Sequence, residues 1–224
     1  MAILVTEQNL VEHFPALDAL EVCKSAFIKR IPGIAVDRDK AEALKQLEEA
    51  HQNIRYRLGL DGLPLVTAEQ VHGNEVAVVN PSLTADKTFA GCDGFVTNQR
   101  GIVLGIYVAD CCAVYIVDHR TPAIGLVHSG KKGTELAIAG LAIDQMRMHF
   151  GSEPAELVVQ LSPCIRPPHY EIDFAAQIVE QCRARGVQQI HDSGICTACD
   201  LNSYYSYRAE KGRTGRMLAL LALQ

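Results

Sequence analysis

No apolar run in this chain is long enough to cross a membrane. The longest stretches, Ile102 to Ala109 and Cys111 to Val117, are separated by Asp110 and fall well short of the ~18 residues a membrane helix needs. A basic block is missing too. Lys and Arg number 21 against 26 Asp and Glu, for a formal charge of -5, which argues against nucleic acid and toward small molecules as partners. The first residues, Met1 to Val5, reach Glu7 without the basic stretch and apolar core of a signal peptide. The sequence therefore reads as cytoplasmic, with no membrane partner, and its 8 cysteines read as reduced. They are packing residues, metal ligands or nucleophiles rather than a disulfide framework. Repeats, low-complexity segments and Pro/Gly/Ser linkers are also lacking, so one domain is expected over residues 1–224. What is present, 48% hydrophobic and 21% charged residues, suits a globular core and excludes disorder, collagen and coiled coil.

Three segments have the period of a helix. Leu44, Leu47, Ile54 and Leu58 mark one from Asp39 to Leu58, stopped by Gly59, with an apolar face that should cover a sheet. A second is expected from Thr134, as N-cap, through Ile143 to Gly151, and a third from Asp173 through Ile178 and Cys182 to Gly186. Strands are expected at Leu63–Thr67, Glu75–Val79, Gly94–Thr97, Ile102–Val108, Ala113–Asp118, Ala123–His128 and Glu156–Leu161. Consecutive strands with helices inserted at intervals predict an α/β fold of the α+β type, with mixed sheets layered with helices, rather than a regular alternating parallel sheet.

Asp110 and Cys111 interrupt what would otherwise be one apolar strand, and a carboxylate there must be paired, hydrogen-bonded or facing a cleft. Seventeen residues after Cys111, a second apolar run ends in His128. If the two runs are neighbouring strands ending on the same edge, Cys111 and His128 meet. Such a pair reads as a thiolate–imidazolium nucleophile, as two ligands of a metal, or as a buried thiol beside a surface histidine. His72, in the loop Gln70-Val71-His72-Gly73, would complete a set of two imidazoles and one thiolate, which suits Zn²⁺ with an open fourth position. Asp93, before Gly94, is either a turn residue or a group that orients a ligand.

The segment from His128 to Gly133 precedes a helix, so its N–H groups with Lys131 and Lys132 could hold an anion, phosphate first. An NTPase P-loop is rejected, because Lys132 stands where the Mg²⁺-binding Ser or Thr belongs. Cys196 and Cys199 form a CxxC without a second pair or histidines at zinc-ribbon spacing, so a structural zinc or redox role is not favoured. Cys23, Cys92, Cys112, Cys164 and Cys182 read as packing residues.

Taken in order, Gln70-Val71-His72-Gly73, Asp93-Gly94-Phe95-Val96-Thr97, Ala109-Asp110-Cys111, His128 to Gly133, and Pro163-Cys164-Ile165 with Tyr170-Glu171 resemble segments of one family. This is the laccase-domain family, also called the multicopper polyphenol oxidoreductase or peptidoglycan editing factor family, which includes purine nucleoside phosphorylases. The resemblance runs from about Asn53 to the C-terminus, where Cys196 to Cys199, Ser206-Tyr207-Arg208 and Thr214-Gly215-Arg216 also look like family segments. It implies a layered α/β domain with zinc held by His72, Cys111 and His128. It also implies cleavage of adenosine by phosphate to adenine and ribose 1-phosphate, deamination of adenosine to inosine, and related activity on inosine, guanosine and methylthioadenosine.

In that reading Cys111, His128 and Asp93 are catalytic, Lys131 and Lys132 hold phosphate or substrate oxygens, and the partners are a purine nucleoside and phosphate. The chain departs from the family's His-Ala-Gly-Trp-Arg-Gly segment at Ser129, Lys131 and Lys132, and the family's glycine-rich N-terminal segment is not recognisable in Lys24 to Asp37. Lysine keeps the charge but loses the bidentate guanidinium fork and the indole surface. The resemblance, with the same residues, implies two other functions. One is an amidase using Cys111 or zinc to edit a peptidoglycan precursor, and the other is a catalytically silent member that binds a nucleotide or a protein. Copper is disfavoured, since one Cys and two His make at most one such centre.

Overall fold

A computed structural model describes residues 10–79 and 83–224, so the signal-peptide reading of Met1 to Glu7 lies outside the described residues. The described chain opens with β1 (Val11–Glu12), α1 (Pro15–Asp18), β2 (Cys23–Ile28) and the long helix α2 (Lys40–Arg57). It continues through β3 (Leu65–Ala68), β4 (Val76–Val78), β5 (Lys87–Phe89), β6 (Gly94–Thr97), β7 (Val103–Val108), β8 (Cys112–Asp118) and β9 (Ala123–Ser129). The remaining elements are α3 (Lys131–Glu135), α4 (Ile138–Phe150), β10 (Leu157–Leu161), α5 (Phe174–Ala184), β11 (Gln189–Asp192) and β12 (Met217–Leu223). No helix among the described residues is long and apolar enough to cross a membrane.

The strands form two mixed six-stranded sheets, ordered β1-β2-β12-β7-β3-β5 and β11-β10-β8-β9-β6-β4. Period two explains how they stack. In β8, Ala113, Tyr115 and Val117 enter the core shared with the first sheet, while Cys112, Val114 and Ile116 enter a second core under α4 and α5. With both faces covered, β8 is apolar at nearly every position and ends at Asp118. The Tyr115 hydroxyl crosses between the sheets to donate to the Ala26 carbonyl at 2.8 Å. A polar tip this deep needs such a partner.

Local signals place the helices well. Asp39 caps α2 by accepting from Glu42 N at 3.0 Å, and Asp173 caps α5 by accepting from Ala176 N at 3.0 Å. Helix α2 lies on the first sheet, with Ala43, Leu47 and Ile54 buried and His51 taking a place in the same stripe. The helix expected from Thr134 starts later. Ala137 is left-handed (φ 59) and separates α3 from α4, and the Thr134 hydroxyl is taken up by Ser129 Oγ at 2.8 Å instead of capping a helix. Six short or terminal elements, β1, α1, β2, β5, β11 and β12, carry no expectation from sequence.

Glycine sets one close approach beside Asp93. Gly94 in β6 pairs with Val127 in β9, and a Cβ there would sit 2.8 Å from the Val127 Cα. Backbone cannot give way as a flexible side chain does. Gly94→Ala is expected to destabilise the chain by about 1–3 kcal/mol, as overpacking does, read as a lower denaturant midpoint at unchanged slope. An unchanged midpoint would show that the two strands can separate without cost.

Candidate functional site

Cys111 immediately precedes β8, and His128 is the second-last residue of β9. Because the two strands are antiparallel neighbours, with Cys112 opposite Ser129 and Ala113 opposite His128, both side chains come to one sheet edge. His72 arrives from the loop joining β3 of the first sheet to β4 of the second. The ligand atoms of His72, Cys111 and His128 lie within 4.8 Å of one another, and the two imidazoles meet edge to face with centroids 4.8 Å apart. Two nitrogens and a sulfur at this separation could hold a metal ion.

Asp93 organises the trio from behind. Its fully buried carboxylate lies 2.9 Å from His128 Nδ1 and accepts from the backbone N–H groups of His72 at 2.9 Å and Gly73 at 2.7 Å. One carboxylate therefore fixes the His128 ring and the left-handed turn at His72 (φ 60). With Nδ1–H donated to Asp93, His128 Nε2 is free to be a ligand. Gly130 completes the fit, since a Cβ there would collide with the Cys111 sulfur.

The electrostatics favour a thiolate. Burial opposes it, but the His128 charge and hydrogen bonds from both imidazoles prevail and lower the Cys111 thiol to about 6. Burial likewise opposes the imidazolium, yet the Cys111 charge and the Asp93 hydrogen bond raise His128 to about 9. Asp93 itself, despite burial, is held below its ordinary value by His128 and the Gly73 amide.

The trio opens into a cavity of about 500 Å³. Lys131 lines it, whereas Lys132, the next residue round the short helix, is exposed and outside its lining. Three further cations that motif spacing did not single out line it: Lys40 at the start of α2, Arg208 and Arg216. Lys40 is held below its ordinary value by burial and then by the Arg216 charge. Tyr107, Tyr170 and Tyr207 add flat apolar surface, with the Arg208 guanidinium 4.7 Å from the Tyr170 ring centre. Asp110 is both hydrogen-bonded and at the cleft. Its carboxylate accepts from Thr197 Oγ1 at 2.7 Å and Arg208 N at 2.8 Å, tying two late loops to the residue before Cys111.

All five cysteines read as packing residues are buried. Of the additional site residues, Tyr107 and Lys40 had no local signal, because an aromatic in a strand and a lysine in a helix look like core and surface. Tyr170, Tyr207, Arg208 and Arg216 fall in segments that carried the family resemblance.

A thiolate and two imidazoles backed by a carboxylate, at the edge of two stacked mixed sheets, define the chain as a layered α/β protein with a potential metal centre. The chain belongs to the multi-copper polyphenol oxidoreductase laccase family, whose model matches residues 33–181 and 170–224. It is 31% identical over 196 residues to the purine nucleoside phosphorylase YlmD of Geobacillus stearothermophilus, covering 70% of this chain and 71% of that protein. It is 28% identical over 211 residues to the purine nucleoside phosphorylase ORF3 of Streptomyces griseus, covering 83% of each. Among solved structures, the hypothetical protein YfiH of Bacillus licheniformis superposes with a TM-score of 0.80 at 21% identity, over 90% of this chain and 93% of that one. The crystal structure of the Geobacillus stearothermophilus YlmD gives 0.78 at 22% identity, over 94% of each chain.

Proposed function

We propose that this chain is a zinc-dependent purine nucleoside phosphorylase, cleaving adenosine with phosphate to adenine and ribose 1-phosphate, with adenosine deamination as a second activity of the same cavity. The observation that carries this reading is the convergence of His72, Cys111 and His128, backed by Asp93, on a cavity that cations and tyrosines also line. The names of the relatives support it. A cavity of about 500 Å³ is of the size that small ligands occupy.

His72 Nε2 or Nδ1, Cys111 Sγ and His128 Nε2 would hold the ion, and zinc bound there would supply Lewis-acid chemistry at neutral pH. Asp93 keeps the His128 ring oriented and its Nδ1 protonated. Lys40 and Arg216, with Lys131, form the anion-holding side, where phosphate would sit close to the sugar. Lys132, outside the cavity lining, is not part of this set. The tyrosine faces would stack the purine, doing the work of the indole that this chain lacks. The reaction would take place in the cytoplasm, on free nucleoside.

Product chromatography after incubating the zinc-loaded protein with adenosine tests the reading. Adenine should form only when phosphate is present, and Cys111→Ser should abolish it together with most zinc binding. Normal turnover and full zinc content in Cys111→Ser would overturn the proposal.

The lowered Cys111 thiol favours one second reading, a metal-independent cysteine hydrolase with His128 as base, acting on an amide. Stoichiometric alkylation of Cys111 that abolishes activity, with no effect of chelators on rate, is its signature. Rates that collapse with chelator and return with zinc would exclude it.

A further inference from the structure

The CxxC that stood without a partner in the sequence has one in the fold. His169 lies 27 residues before Cys196, on the stretch that leads from β10 to α5, and its Nδ1 is 3.6 Å from Cys196 Sγ and 3.6 Å from Cys199 Sγ. All three donor atoms lie within 4.8 Å of one another. Zn–S bonds of about 2.3 Å and Zn–N bonds of about 2.0 Å in a tetrahedron put nitrogen and sulfur about 3.5 Å apart. We propose that His169, Cys196 and Cys199 form a second metal site, a zinc centre with three protein ligands and solvent in the fourth position, which clamps two walls of the cavity together.

The backbone around these donors is held independently of any ion. Cys164 N donates to the Ile195 carbonyl at 3.2 Å and Thr197 N donates to the Cys164 carbonyl at 3.2 Å, so the start of the CxxC is stitched to the strand-like stretch after β10. Its turn is closed by Cys199 N donating to the Cys196 carbonyl at 3.1 Å. On the other side, Tyr170 N donates to the Arg166 carbonyl at 3.1 Å, and the Arg166 guanidinium is paired with Asp192. The donors are therefore presented by two anchored segments, and an ion would have little chain to order. Two thiolates and an imidazole are soft and borderline ligands that suit zinc and are poor partners for Mg²⁺ or Ca²⁺.

The position of the clamp gives it a purpose. His169 precedes Tyr170, which lines the cavity, and Cys196 precedes Thr197, whose hydroxyl donates to Asp110 beside Cys111. Holding His169 to the two thiols fixes the Tyr170 wall relative to the floor that carries Asp110. His169 and Cys199 are exposed and Cys196 is half-buried, so the open coordination position faces solvent.

Zinc content, measured by elemental analysis after loading the reduced full-length chain and removing free metal by gel filtration, tests the proposal. The expected content is two equivalents in the unmutated chain, one in Cys199→Ser, one in Cys111→Ser and none in the double variant. His169→Ala, at an exposed position, should match Cys199→Ser and guards against a folding defect particular to the serine. Cobalt provides a second readout: Cys111→Ser should retain thiolate-to-cobalt absorption, and adding Cys199→Ser should abolish it. Wild-type zinc content in both Cys199→Ser and His169→Ala would overturn the second site. A reduced chain that binds no zinc at this trio and forms a Cys196–Cys199 disulfide on air exposure would overturn it equally. If Cys111→Ser keeps two equivalents while Cys199→Ser loses one, the second site stands and the proposed role of the first trio fails.

Discussion

Replacing Asp93 by Ala is expected to cost the chain about 3–5 kcal/mol of stability, the loss that follows when one partner of a buried charged pair is removed. The carboxylate is fully buried, and it faces His128 Nδ1 and two backbone amides. Its removal leaves these buried N–H donors without their acceptor. Asp93→Asn separates function from folding. The amide has the same shape, but its NH₂ must oppose one of the N–H groups that the carboxylate accepted from. Zinc affinity in Asp93→Asn should fall by roughly 10- to 100-fold, the usual effect of removing a group that orients a metal-ligating histidine. Denaturant titration measures the first effect and competition with a zinc chelator the second. Wild-type zinc affinity in Asp93→Asn would reduce Asp93 to a turn residue with no influence on the site.

His51 should make the fold sensitive to mild acid. It is 4% exposed in the apolar stripe of α2, packs 5.9 Å from the Tyr107 ring centre, and its Nε2 has no hydrogen-bond partner among the described residues. Burial depresses its pKa to about 4 in the fold, against about 6.5 in the unfolded chain. The sign follows directly. Above about pH 6.5 the ring is neutral in both states and its burial costs nothing electrostatically. As pH falls below that, the unfolded chain binds a proton that the folded chain refuses, so stability is lost until the folded group also titrates near 4. The full loss is about 3 kcal/mol. Other groups titrate in the same window, so the decisive quantity is the difference between the unmutated chain and His51→Leu. That difference should shift by about 2.5 kcal/mol in favour of the variant between pH 7.5 and 4.5, where the folded group has not yet fully titrated. Parallel pH profiles for the two proteins would mean that water or a neighbouring carboxylate reaches the ring.

His51 also shows where a sequence can mislead about its own core. The helix from Asp39 to Leu58 was legible from leucine and isoleucine spacing, and the observed α2 agrees to within a residue at each end. A histidine at a stripe position carries no mark of whether it titrates against solvent or lies neutral against Tyr107. The same limit applies to the lysines after His128. They share one local motif, yet only Lys131 lines the cavity, because consecutive residues of even a single helical turn point in different directions.

Sequence alone determined the features that depend on neighbours along the chain. Short runs rich in Val, Ile and Tyr placed seven strands to within a residue or two, carboxylates at Asp39 and Asp173 marked two helix starts, and the residue types at positions 72, 111 and 128 stated the chemistry they could perform. Tertiary structure alone decided which of these segments meet. β12, the last strand, inserts between β2 and β7, a pairing across most of the chain that leaves no local trace. The order of strands in each sheet then brings Lys40, Arg208 and Arg216 to one cavity and His169 to a distant CxxC. Hydrophobic periodicity specifies which face of an element is buried but is indifferent to the element it is buried against, so convergence of polar groups becomes visible only once the layers are stacked.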